Sequence, residues 1–236
     1  YYLRESKRDA NGNVVLDAES QSDEAYAILG NLRDAVKKVD GADALVGGQD
    51  AQALDVKNAY AHDQGLVIPM ILALVFIVLV LLLRALVAPV LLLATVVASF
   101  FASMGLGWLL FTNVFGFAGL DLSVFLYSFL FLVALGVDYN IFLVTRAKEE
   151  AAHLGVKQGM IKALSSTGGV ITSAGILLAA VFAVLGVLPL VALAQIGVIV
   201  CIGVLLDTLL VRTVIVPALG FMTKKKFFWP ARGYKN

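Results

Sequence analysis

Cysteine is nearly absent from this sequence. Cys201 is the only one, so no disulfide can form within the chain. Histidine is almost as scarce: His62 and His153 are the two present. They lie far apart with no ligand-spaced partners, so no metal site is expected. No histidine base lies within reach, by sequence, of Ser165, Ser166 or Ser173, which argues against a hydrolase triad. Gly168-Gly169 is not followed by Lys-Ser/Thr and is not a phosphate loop. Charge is the other shortage. Only 15% of the 236 residues are charged, against about 25% in soluble domains. That excludes a disordered chain, a broad basic surface for nucleic acid and an ordinary cytosolic enzyme.

What is present is apolar. Hydrophobic residues make up 60% of the chain, and the mean hydropathy is +0.91. Five runs are long enough to cross a bilayer core, which takes about 20 residues. They cover roughly Leu66–Leu83, Val87–Phe111, Leu122–Thr145, Val170–Leu188 and Leu190–Val216. These runs are apolar all round and not on one stripe, which disfavours a soluble helical core. Gly186-Val187-Leu188-Pro189 is the only turn signal between the last two spans, so that hairpin must be tight.

The net charge of +1 hides two unlike parts. Residues 1–63 carry a net −5 and residues 64–236 a net +6. In the apolar part, Arg212 lies within span five, and the basic residues outside the spans sit after span one (Arg84), after span three (Arg146, Lys148, Lys157, Lys162) and in the tail (Lys224, Lys225, Lys226, Arg232, Lys235). The connections Thr112–Asp121 and Gly186–Pro189 hold no Lys or Arg. Positive charge marks the cytoplasmic side. The expected topology is an extracytoplasmic N-terminal head and a cytoplasmic C-terminus, in a multi-pass protein of the inner (plasma) membrane. The chain lacks an initiator Met and a signal-like start. A segment that carries the head across is therefore expected upstream, in a longer polypeptide.

The expected domains are residues 1–62, a small extracytoplasmic α/β fragment; 63–222, five transmembrane helices; and 223–236, a basic cytoplasmic tail. In the head, Asn11-Gly12-Asn13 reads as a turn before a strand at Val14-Val15-Leu16. Ser22-Asp23-Glu24 reads as the cap of a helix to about Lys38, ended by Gly41. Ala44-Leu45-Val46 reads as a second strand. A second helix from about Asp50 is expected to run on into span one. So small a unit buries too little surface to stand alone. Within the membrane part, about 149–166 reads as a short amphipathic elbow helix lying on the cytoplasmic face.

Two acids lie inside the spans, Asp138 and Asp207. A charge there costs several kcal/mol, so such a residue is functional or paired. Asp138 stands eight residues before Arg146, roughly 12 Å into the apolar core. A carboxyl that can take up and release a proton at that depth suits a proton-coupled machine. Tyr139 points about 100° away from Asp138, so each needs its own partner. Asp207 stands five residues before Arg212, where a local ion pair would explain it. Ser99, Ser103, Thr172 and Ser173, on spans two and four, and Asp207 on span five are candidate supports for a relay, though small residues also serve close helix packing. Gln195 in span five is a similar case.

The stretch Gly136-Val137-Asp138-Tyr139-Asn140-Ile141-Phe142-Leu143-Val144-Thr145-Arg146 resembles the MmpL (mycobacterial membrane protein large) family of the RND superfamily. The similarity extends to Thr167–Gly175, to Gly203–Thr208 with Val211-Arg212-Thr213, and to Gly41–Gly48 in the head, and it covers essentially the whole chain. The resemblance implies helices eight to twelve of a twelve-helix exporter made of two similar halves. It implies that Asp138 and Tyr139 match the helix-ten half of a proton relay whose other half lies on helix four. The implied partners are the N-terminal half (helices one to seven and the first porter domain, on the same polypeptide or another chain), membrane lipids and a lipid substrate, with no nucleic acid. The driving force is the proton gradient, with no cofactor. Lipids and other cell-envelope molecules are the implied cargo.

Three other readings remain open on sequence. One is an accessory subunit of protein export with the same helix plan. The second is an intramembrane aspartyl protease using Asp138 and Asp207, which would have to share a proton. The third is a scaffold in which Asp138 only packs.

Overall fold

The structure is a computed structural model that describes residues 14–39, 45–117 and 119–230. The chain divides into two compact units, residues 1–65 and 66–236.

The described part of the first unit is helical. Helix α1 (Asp23–Lys37) starts where Ser22 caps it: the Ser22 hydroxyl accepts from the Ala25 N–H at 3.1 Å. Asp23 and Glu24 fill the first turn and Lys37 the last, each favourable to the helix dipole. Ala25 and Leu29 are buried on one face. Helix α2 (Gln49–Leu83) begins in this unit. Arg33 forks onto Asp55 at 2.5 and 2.9 Å, and Lys57 meets Asp23 at 2.7 Å.

The expected α/β fold of the head is not seen among the described residues. Val14-Val15-Leu16 and Leu45-Val46 are irregular, and there is no strand among the described residues. Val15 and Leu45 are largely exposed. An apolar triplet becomes a strand only when another backbone takes up its ladder hydrogen bonds, and neither segment has one here. Asn11-Gly12-Asn13, Gly41 and Ala44 lie outside the described residues.

The second unit is a helical bundle with five helices long and apolar enough to cross a membrane. After α2 come α3 (Val87–Leu110), α4 (Leu122–Leu154), α5 (Val156–Leu185), α6 (Val191–Leu206) and α7 (Val216–Thr223). Two stretches are wound more widely, with i→i+5 bonds. One is Phe111–Phe115, which extends α3; the other is Asp207–Ile215, which joins α6 to α7. A tight 3₁₀ turn, Lys224–Phe228, follows. It buries Phe227 and Phe228, and the Trp229 carbonyl accepts from the Leu86 N–H at 2.7 Å.

Small residues set the packing. Gly203 gives its space to Leu132 of α4 and to the Ser103 hydroxyl of α3, the close approach that membrane helices favour. Phe100 meets Phe125 and Phe129 edge-on, each at 5.2 Å. Gln195 is fully buried and ties down the connection before α4. Its Oε1 accepts from the Asp121 N–H at 2.9 Å and its Nε2 donates to the Gly119 carbonyl at 2.8 Å.

The elbow expected at about 149–166 is not a separate surface helix. Residues up to Leu154 prolong α4, Gly155 breaks the chain at φ +83°, and α5 starts at Val156. Ala151, Val156, Met160 and Ala163 are buried against protein, while Leu154 and Ile161 stay exposed. Glu150 meets Arg146 and Lys162, each at 2.9 Å, and so clamps the two helix ends together.

Candidate functional site: two acids within the spans

Helix α4 carries an exposed row along Tyr127, Phe131, Ala134, Asp138 and Phe142, at the four- and three-residue steps of one helix face. Asp138 is the one charge in that row. Its carboxylate makes no hydrogen bond or ion pair among the described residues.

Tyr139, one residue on, turns into the bundle. Its ring faces the Arg212 guanidinium, 4.6 Å from ring centre to the guanidinium carbon. Such a contact is worth about 2 kcal/mol when both groups are desolvated. Arg212 in turn donates from Nη2 to Asp207 Oδ2 at 2.6 Å. Both residues of this pair are almost fully buried, at 1% and 5% exposure. Breaking one partner of such a pair costs about 3–5 kcal/mol, because the other charge is left unpaired in an apolar interior.

Local winding makes the pair possible. In an α-helix, five residues turn through about 500°, which leaves Asp207 and Arg212 about 140° apart. With i→i+5 bonds the turn widens, and residues five apart come much closer to the same face. Asp207 and Arg212 both lie within the wide segment 207–215, and so share a face. Gly175 of α5 makes room for it, since a Cβ there would collide with Thr208. On α4, Gly136 packs on Val96 and lies beside Asp207: a Cβ at 136 would be 3.3 Å from Val96 Cγ2 and in ordinary contact with Asp207 Cγ at 3.8 Å.

A small cavity lies in this region, lined by Ser99, Leu132, Leu135, Gly136, Tyr139, Val204, Asp207 and Thr208. Several buried polar atoms in and beside these residues lack a partner: Asp207 Oδ1, Thr208 Oγ1, Arg212 Nε and Nη1, and both amide atoms of Asn140.

The structure therefore gathers some candidates and separates others. Tyr139, Ser99 and Asp207 line one cavity. The Ser99 hydroxyl donates to the Val96 carbonyl at 2.9 Å, and Ser103 to the Ser99 carbonyl at 2.6 Å, so both are satisfied on their own helix. Ser173 is exposed and donates to the Val170 carbonyl at 2.9 Å. Thr172 is half-buried and, like Ser173, does not line that cavity. The link from Arg212 to Tyr139 and the unpartnered Asn140 and Thr208 are not visible in the sequence, since both depend on how α4 packs on the wide segment. No hydrogen bond joins Asp138 to Asp207, and Asp207 is already engaged by Arg212, which removes the shared-proton dyad of an aspartyl protease. Among the described residues, no three His, Cys, Asp or Glu side chains converge on a metal-sized site.

The sequence model of the MMPL family matches residues 6–236. The chain belongs to the MMPL family. Relatives within it include the membrane protein ActII-3 of Streptomyces coelicolor, 54% identical over 92% of this chain and 30% of that protein. The apo-petrobactin exporter of Bacillus anthracis is 39% identical over 97% of this chain and 32% of its own length. MmpL12 of Mycobacterium tuberculosis, named a probable transport protein, is 41% identical over 80% of this chain and 16% of its own length. The chain thus spans about a third or less of the curated MMPL relatives it matches. With five apolar helices, it is part of a multi-pass membrane protein.

Proposed function

We propose that this MMPL chain is the C-terminal half of an exporter of lipids or other hydrophobic cell-envelope molecules, driven by the proton-motive force, in which Asp138 and Tyr139 form one half of the proton relay. One observation carries the reading. Of the two acids inside the spans, Asp207 has its cation and Asp138 has none among the described residues. A carboxylate on an apolar outer row costs several kcal/mol against lipid, so Asp138 calls for a partner beyond the described residues. An N-terminal half with its own Asp-Tyr pair supplies that partner. The transport and export named for the MMPL relatives supports the same reading. The head then lies outside the inner membrane and the basic tail in the cytoplasm, as the Lys/Arg bias implies. No cofactor is required beyond the proton gradient.

The test is Asp138→Asn in the intact protein. The expected outcome is normal membrane insertion with export at background level. Export at the wild-type rate would reject the relay role.

A further inference from the structure

We propose that Arg212 is a positioning residue for Tyr139, and that the wide segment 207–215 sets the phenol ring by holding that guanidinium in place. The inference rests on the reading of Tyr139 as a relay group, and deepens it.

Two contacts on one face of α4 and one within the last span support it. Gly136 and Tyr139 are three residues apart and therefore neighbours on the same side of the helix. Gly136 lies beside Asp207, and Tyr139 stacks on Arg212. Asp207 and Arg212 are joined only because the segment is wound with i→i+5 bonds. Rewinding it as an ordinary α-helix would put the two side chains about 140° apart. The ion pair would open and the guanidinium would leave the Tyr139 ring. The winding of the last span and the surroundings of Tyr139 are therefore one coupled variable, and this is the kind of two-arrangement element that can transmit a change between helices. The cavity beside the pair has the polar lining such a rearrangement needs. It offers about 10 Å³ to the centre of a water molecule, roughly what one water requires. Asp207 Oδ1 and Thr208 Oγ1, both without partners, belong to its lining.

A purely structural ion pair makes a different prediction. Lysine keeps the charge beside Asp207 but has no planar group to stack on the ring. Arg212→Lys therefore separates holding the charge from holding the phenol. The experiment uses the intact transporter in proteoliposomes of its native membrane lipids, with 3-fluorotyrosine in place of Tyr139 and a pH-sensitive dye inside. The ¹⁹F resonance reports the ring, and the dye reports proton uptake. Arg212→Lys is expected to unfold near the wild-type temperature, to move or broaden the ¹⁹F signal, and to slow proton uptake about tenfold, the scale of mutations that weaken coupling without touching a ligand. An unmoved signal overturns the proposal whatever the uptake, and so does a moved signal with wild-type uptake. If Arg212→Lys does not fold, the double variant Asp207→Asn/Arg212→Gln, which leaves no buried charge, is read by the same two criteria. Asp138→Asn with wild-type uptake would reject the relay itself, and the ¹⁹F signal would then decide alone whether Arg212 holds the ring.

Discussion

The outer face of α4 at Asp138 and the buried region around Asp207 pose the same electrostatic problem and meet it in opposite ways. Asp207 is enclosed and neutralised by Arg212 at 2.6 Å. Asp138 stands in an exposed apolar row with no cation among the described residues. A charge inside the bilayer is costly wherever it lies. The first site removes that cost locally, so its acid is part of the fold. The second leaves the cost open, so its acid is available to an outside partner or to a proton. The residue type is the same, and the surroundings differ.

The largest effect should come from breaking the buried pair. Arg212→Ala leaves Asp207 charged and enclosed, and should destabilise the protein by about 3–5 kcal/mol. Thermal unfolding in detergent would show it, and Asp207→Ala/Arg212→Ala together should recover most of the loss. Asp138→Asn should do the reverse, with stability within about 0.5 kcal/mol of wild type and export lost. If both single variants lowered stability equally, the distinction between the two acids would fail.

Smaller effects test the framework around them. Gly175→Ala puts a methyl against Thr208 and should cost about 1–3 kcal/mol as overpacking. Because it presses on the wide segment, it should also weaken proton uptake, which a matched change at the exposed Gly169 should not. Gln195→Ala should cost about 1–3 kcal/mol through the unpaired Asp121 N–H and Gly119 carbonyl, and hydrogen exchange should rise at residues 119–123.

The smallest effect lies in the first unit. The Lys57 ammonium, by its hydrogen bond and then its charge, holds the Asp23 carboxyl below the ordinary carboxylate value of 3.8. A carboxyl lowered on folding stabilises above its unfolded value and loses that contribution as pH falls through its folded value. Hydrogen-exchange protection in α1, corrected for the intrinsic pH dependence of amide exchange, should therefore be constant from neutral pH down to about 4 and fall only below it.

Much of this arrangement can be read from the residues. Val87 and Leu122 begin helices where their apolar runs begin, and Ser22 caps α1 as its side chain suggests. Runs alone do not say where a helix leaves the membrane, so α4 and α5 continue to meet at Gly155 where a separate elbow was expected. The triplets Val14–Leu16 and Ala44–Val46 have strand composition, but a strand is completed by its neighbour, which no triplet encodes. Five-residue spacing hints at the Asp207–Arg212 pair. The wide winding that closes the pair, and the ring of Tyr139 above it, depend on packing between residues 33 or more positions apart in the chain.

The central proposal is that Asp138, and not the paired Asp207, is the relay acid. Infrared difference spectroscopy of the intact transporter, titrated across its working pH range, tests it directly. The account predicts a protonated-carboxyl band that appears as pH falls, disappears in Asp138→Asn and persists in Asp207→Asn/Arg212→Gln. A band that survives Asp138→Asn and is lost with the Asp207 variant would contradict it.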